Sequence, residues 1–204
     1  MNPLETIKLM KEFPSQHELQ LVSQSTNLRI HPVGPWVLTQ EDVLLELANW
    51  RHLNRRFFPK QFPFSVESMR NYILNYSIGK KDRLFFIIFD DNRKPLGHLG
   101  LSEIQGNSAD VDNVMRNPNV TNFFMRDVLA FLLDWSNLEL GIQNFGLTVM
   151  PDNQRAIDLY LSLGFEFLDS EPKEEKPTNE MLATPKKILP LRMLRTENQN
   201  GVFP

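Results

Sequence analysis

PDNQRAIDLYLSLGF, residues 151–165, has the pattern of a short amphipathic helix closed by a glycine. Ala156, Ile157, Leu159, Leu161 and Leu163 are apolar, while Gln154, Arg155, Asp158 and Ser162 are polar. At about 100° per residue the four polar positions share one side. Asn153 and Tyr160 do not join them: seven residues is nearly two turns, so both project from the middle of the apolar arc. An amide and a phenol aimed inward have two readings. Either Asn153 is an N-terminal cap and Tyr160 a core aromatic with a backbone partner, or the pair is presented to something bound. Gly164 has a structural task in both, ending the helix in the left-handed conformation.

Outward from this helix the chain reads as alternating strands and helices. NFGLTVM (144–150) is a strand before it and FEFLDS (165–170) a strand after it. MRDVLAFLLDWSNLEL (125–140) has helical periodicity. RLFFIIFD (83–90) and PLGHLGLSEI (95–104) flank DNRK as an antiparallel hairpin, with ADVDNVM (109–115) a third strand beside them. LTQEDVLLELANWRHL (38–53) is a helix with Thr39 as N-cap and Asp42 near the capping-box position; Ser65 caps a second helix, SVESMRNYILNYS. NLRIHPV (27–33) is the first strand and KKILPLRML (186–194) the last, after a charged, proline-bounded loop. The order β, α, α, β, β, β, α, β, α, β, β describes an α+β fold with a mostly antiparallel central sheet flanked by helices. Residues 1–26 are read as an N-terminal extension, 27–195 as a single domain and 196–204 as a disordered tail.

Composition narrows the function. With 204 residues, 41% apolar and 23% charged, the chain is long enough for a sizeable core. A net charge of −3 provides no global field for nucleic acid or an anionic membrane, so an anion site must be local. The absence of cysteine excludes disulfides, zinc thiolates and a cysteine nucleophile, and four scattered histidines argue against a metal site. No signal peptide pattern and no long apolar run stand out, so the cytoplasm is the expected location.

This order, with NQRAIDLYLSLGF after the penultimate helix–strand pair, resembles the GNAT superfamily of acyl-CoA-dependent N-acyltransferases across roughly residues 27–194. WRHLNRRFF, LFFIIFD, PLGHLGLSEI and ADVDNVMR look most like the branch of ribosomal-protein alanine acetyltransferases and of acyltransferases acting on nucleotide-linked amino sugars. The resemblance implies a sheet splayed between the fourth and fifth core strands, with acyl-CoA, carrying acetyl or a larger acyl group, as co-substrate and no metal. By the same resemblance the helix bearing Asn153 and Ala156 is expected beside the pantetheine arm, with Asn153 hydrogen bonding it and Tyr160 serving as general acid toward the departing thiolate. The resemblance likewise implies that Asn113, Val114 and Met115 clasp the pantetheine through their main chain.

One departure from the family stands upstream. The pyrophosphate loop has the form Arg/Gln-x-x-Gly-x-Gly/Ala in the family, whereas VMRNPNVTNFFMRD here has no glycine. In one reading Arg116 supplies charge and the helix start supplies amides, with Asn117, Thr121, Asn122, Phe123 and Phe124 forming the site and Thr121 or Asn122 capping the helix. In the other the chain is a non-catalytic GNAT-shaped binding module.

The general base is Asp112 or His98, unless the acceptor needs none; each also reads as an ordinary surface carboxylate or half-buried imidazole. Trp50, Arg51, Arg55, Arg56 and Phe57 suit a nucleotide-linked acceptor, aromatic faces for a base and guanidinium forks for a diphosphate, or else they are core and surface residues of no special role. The expected activity is direct acyl transfer to the amine of a small acceptor, a nucleotide-linked amino sugar, with a protein N-terminus as the alternative acceptor. No nucleic acid or membrane partner is expected, and a homodimer is compatible with the reading.

Overall fold

Strict alternation in LFFIIF shows how the chain builds two cores on one sheet. In strand β3 (Leu84–Phe89), Leu84, Phe86 and Ile88 enter one core while Phe85, Ile87 and Phe89 enter the other. The computed structural model describes residues 3–22, 27–58, 63–120, 125–168 and 191–196. The other strands are β1 (Leu19–Val22), β2 (Asn27–Pro32), β4 (Pro95–Gln105), β5 (Ser108–Arg116), β6 (Asn144–Val149), β7 (Glu166–Phe167) and β8 (Leu191–Thr196). They form one sheet in the order β1-β2-β3-β4-β5-β6-β8-β7, antiparallel except for the parallel pair β5–β6. Helices α1 (Pro3–Glu12), α4 (Met125–Leu140) and α5 (Gln154–Leu161) cover one face; α2 (Glu41–Leu53) and α3 (Val66–Tyr72) cover the other. The mixed α+β class and mostly antiparallel sheet are as the sequence predicts.

Residues read as an extension contribute to this body. Helix α1 sends Ile7 and Met10 into the larger core, and β1 adds an outer strand through Leu19↔Ile30 to Val22↔Asn27. Lys11, 8% exposed, donates from Nζ to the carbonyls of Ser77, at 2.7 Å, and Lys80. Burial lowers its pKa to about 8. Ser77 lies in a π-helical turn, Ile73–Ile78, that continues α3, and Lys80 follows just beyond it. Thus the amino terminus is tied to the wall that carries Tyr72 and Tyr76.

Local signals hold in places and yield in others. Ser65 Oγ accepts from Ser68 N–H at 3.0 Å, the expected cap of α3. Thr39 does not cap α2: it ends a 3₁₀ turn, Pro35–Thr39, and its hydroxyl donates to the Trp36 carbonyl, leaving Gln40 at the cap position without a side-chain bond. Proline at the first position favours that turn and displaces the helix start. The DNRK hairpin forms, with Asp90 Oδ1 accepting from Asn92 and Lys94 N–H and Arg93 in the left-handed region at φ 61°. Residues 186–190, the first part of the predicted last strand, lie outside the described residues, as do 169–170 of the preceding one.

Two features of β5 position the site. It pairs with β6 through Ser108↔Asn144, Ala109↔Phe145 and Asp110↔Gly146; beyond that point, although both strands continue, they part. This is the expected splay. Second, the β4 register moves from Gly100↔Asp112 to His98↔Met115, so one extra residue is inserted in β5, and Asn113 takes φ 54°. The bulge reverses the alternation. Ala109 and Val111 face the larger core, but Val114 packs there after the bulge and Met115 enters the smaller one.

At the closed end of the splay, Arg192 of β8 reaches across β6 and grips Asp110 with both guanidinium nitrogens, Nη2 to Oδ1 at 2.5 Å. A Cβ on Gly146 would lie 2.2 Å from Arg192 Nη2 and 2.6 Å from Asp110 Oδ1, so any side chain there would push the ion pair aside.

Candidate active site

The α5 helix begins as its sequence indicates, with Asn153 Oδ1 accepting from Ala156 N–H at 3.3 Å. That capping bond leaves the Asn153 Nδ2 group to donate elsewhere. Ala156 is partly buried against the core, and Leu161, expected on the apolar arc, is instead 45% exposed, although Leu163 and Phe165 beyond it are buried. Tyr160 is buried, its ring edge against Phe165 with centroids 5.8 Å apart. Among the described residues its hydroxyl has no hydrogen-bond partner, contrary to the reading of a core tyrosine with a backbone acceptor. Burial, then the negative charge of Asp112, push the phenol well above its ordinary range, so it keeps its proton. Tyr160 and Asp112 stem from opposite faces of the sheet, and the parted strands β5 and β6 lie between them.

Across that gap stands a dense polar cluster. Asp112 accepts from Arg83 Nη1 at 3.0 Å and from Asn113 through N–H at 2.8 Å and Nδ2 at 2.9 Å. Tyr72 Oη donates to Asn113 Oδ1 at 2.9 Å. His98 Nδ1 donates to the Asn113 carbonyl at 2.6 Å, which fixes the proton on Nδ1. Burial raises the Asp112 carboxyl above the ordinary range despite the opposing charges of Arg83 and Arg51. The His98 imidazole, stacked on Trp50 with centroids 5.9 Å apart and edge-on to Phe85, is lowered by burial to about 4 and is therefore neutral at neutral pH. A carboxylate poised upward is the better placed of the two candidate bases.

At the far end of β5 lies a local concentration of positive charge. Arg116 Nε is buried and has no partner among the described residues. Its pKa is lowered by burial and then by the nearby Arg155 guanidinium. Neither arginine forms an ion pair among the described residues. Two cations held together without an acid suit a polyvalent anion such as a pyrophosphate or ribose phosphate.

Several predicted site residues are placed otherwise. Asn117 is 2% exposed and shapes its own loop, donating from Nδ2 to Pro95 O and accepting at Oδ1 from Asn119 N–H, so its side chain is not offered to a cofactor. Both main-chain groups of Asn113 are engaged by Asp112 and His98, and Met115 is paired with His98 in the β4–β5 ladder, so of the three residues expected to clasp the pantetheine Val114 alone turns its main chain toward the splay. Thr121, Asn122, Phe123 and Phe124 lie outside the described residues. Trp50 is fully buried in the smaller core and cannot stack on an acceptor. Arg51 does approach the cluster, lying 4.1 Å from the centroid of Phe58 and 5.1 Å from that of Tyr72. Arg55 and Arg56 are exposed; Arg56 sits over the neighbouring Phe57 ring, at 4.5 Å.

Sequence reasoning missed Tyr72, Arg83 and Arg155. Among the described residues no group of side chains could hold a metal ion, and no helix is long and apolar enough to cross a membrane.

Comparison with known proteins agrees with this geometry. The model of the acetyltransferase (GNAT) family matches residues 47–165, more than half of the chain. No curated protein sequence matches. Among solved structures, spermidine N-acetyltransferase from Vibrio cholerae in complex with CoA and spermine superposes with a TM-score of 0.60 at 18% identity, covering 83% of this chain and 95% of that one. A dodecameric structure of the Vibrio cholerae enzyme gives 0.58 at 19% identity, over 83% and 94%. The ribosomal-protein-S5-alanine acetyltransferase from Vibrio fischeri gives 0.58 at 14% identity, over 89% and 98%. With its splayed sheet, its α5 helix and the family match across both, the chain belongs to the GNAT acetyltransferase family and is an acyl-CoA-dependent N-acyltransferase.

Proposed function

We propose that this chain acylates the amine of a small acceptor that also carries anionic groups, a nucleotide-linked amino sugar being the class that fits best. The observation that carries this reading is the lining of the acceptor side. Arg51 lies against the rings of Phe58 and Tyr72, and Arg83 stands on Asp112, so fixed positive charge and aromatic faces surround the candidate base. A polyamine, the kind of ligand bound by the Vibrio cholerae protein, would meet like charge here. A phosphate-bearing amine would be drawn in.

Acyl-CoA supplies the activated acyl group. Arg116 and Arg155 suit its phosphates, the Val114 main chain its pantetheine, and Asn153 Nδ2 a further hydrogen bond to that arm. Asp112 takes a proton from the acceptor nitrogen as the new carbon–nitrogen bond forms. Tyr160 gives its proton, or a hydrogen bond, to the sulfur as the carbon–sulfur bond breaks. No enzyme-bound acyl intermediate is involved, since direct attack needs no protein nucleophile.

The test is CoA release from acetyl-CoA with three acceptors: a nucleotide-linked amino sugar, spermidine and a peptide beginning with alanine. The expected result is a kcat/KM for the nucleotide-linked amine at least about tenfold above the others. A higher value with spermidine or the peptide would overturn the acceptor assignment.

A further inference from the structure

Asn113 is the hinge of the polar cluster, and its amide has a direction. Asp112 is a carboxylate and accepts hydrogen bonds, so the Asn113 side chain must turn Nδ2 toward it, as it does at 2.9 Å. Turning the amide over would set Oδ1 against the carboxylate. Tyr72 Oη, donating to Oδ1 at 2.9 Å, secures the favourable orientation from the opposite side. Tyr72 is itself held firmly: it ends α3 where the π-helical turn begins, its ring is stacked on Tyr76 at 5.6 Å, and the Arg51 guanidinium lies over it.

We propose that Tyr72 is a positioning residue for this reaction: through the Asn113 amide it holds Asp112 in the orientation that accepts the acceptor's proton. The inference rests on the acyltransferase reading above, with Asp112 as base. A hydroxyl on one helix thereby sets the orientation of a carboxylate forty residues away in sequence, with the left-handed bulge residue as intermediary. The other groups bearing on Asp112 are Arg83 ahead of β3, Arg51 of α2, Asp110 of its own strand and Tyr160 of α5; His98 of β4 engages the Asn113 carbonyl. None of these bonds the Asn113 amide oxygen in place of Tyr72.

Tyr72→Phe keeps the stacked ring and removes the hydroxyl. The freed amide no longer donates steadily to Asp112, so the carboxyl becomes harder to ionise and the acid limb of the kcat/KM profile moves to higher pH. The expected loss in kcat/KM for the acceptor at neutral pH is about tenfold, with KM for acetyl-CoA unchanged. Asn113→Gly, which retains the left-handed backbone, supplies the second arm: in that background Tyr72→Phe should add no further loss. Carboxyl NMR titration of Asp112 reads the same shift without turnover. An unmoved Asp112 titration in Tyr72→Phe, or losses that add in the double variant, would overturn the proposal. A shifted titration in a protein that transfers no acyl group would leave the relay standing and overturn the acyltransferase reading instead.

Discussion

On the side of the splay where we propose that the acceptor binds, Asp112, Asn113, Tyr72, Arg83 and His98 hold one another through a closed set of hydrogen bonds. On the side where we propose that acyl-CoA binds, Arg116 Nε has no hydrogen-bond partner among the described residues, Arg155 forms no ion pair among them and the Tyr160 hydroxyl makes no hydrogen bond there. The contrast separates two ways of using polarity. Groups that must present one precise geometry to a reacting atom are braced in advance, because a loosely held base loses rate steeply with misplacement. Groups that grip a large anion, or meet charge that develops during reaction, are left with unspent donors. Substitution on the first side should disturb function and fold together, and on the second side function alone.

The sharpest way to break this contrast is Tyr160→Phe. If the hydroxyl serves the departing sulfur, kcat should fall by at least about tenfold while melting temperature and acyl-CoA affinity stay near the original, since no internal bond is lost. A stability loss with turnover per folded molecule intact would move Tyr160 to the braced class. Next comes Arg116→Ala. One charge-assisted contact of about 1.5–3 kcal/mol corresponds to acyl-CoA binding about tenfold weaker or more, with a flatter salt dependence and no fall in melting temperature. Calorimetry that finds Kd unchanged would place the phosphates elsewhere.

The smallest expected effect tests the braced side through pH. Folded His98 resists protonation until about pH 4, whereas in the unfolded chain it titrates in the ordinary range near 6.5. Between those values unfolding takes up a proton, so stability falls as pH drops through that window. His98→Asn, whose amide can donate to the Asn113 carbonyl, should lose stability less steeply there. Denaturant titrations at several pH values check this, and parallel slopes for the two proteins would show that His98 does not set the dependence.

How much of this was legible in the sequence follows the range of each interaction. Asn153 and Tyr160 were readable because two helical turns bring them to one face, and the Ser65 cap because its partner is three residues away. The apolar run LFFIIF was readable as a strand, but not that both of its faces are buried. The cluster around Asp112 was not readable: Tyr72 is 41 residues from Asn113 and Arg83 is 29 from Asp112. No local pattern joins such positions. Helix α1 was hidden for another reason, since Ile7 and Met10 are few among polar neighbours and its anchoring Lys11 resembles any surface lysine. Trp50 misled because an aromatic beside arginines reads equally as a stacking platform or as core.

The extra residue at Asn113 gives β5 a tolerance of an unusual kind. The strand works as a tally as well as a surface: what lies beyond the bulge, including Met115 and Arg116, faces where it does because one more residue was counted on this strand than on β4. Exchanging one side chain for another leaves that tally intact. Losing a single residue resets it, turning the Met115 side chain out of its core and the Arg116 guanidinium to the opposite face of the sheet. A change in the length of this segment therefore moves every side chain beyond the bulge, whereas a change of one letter moves only its own.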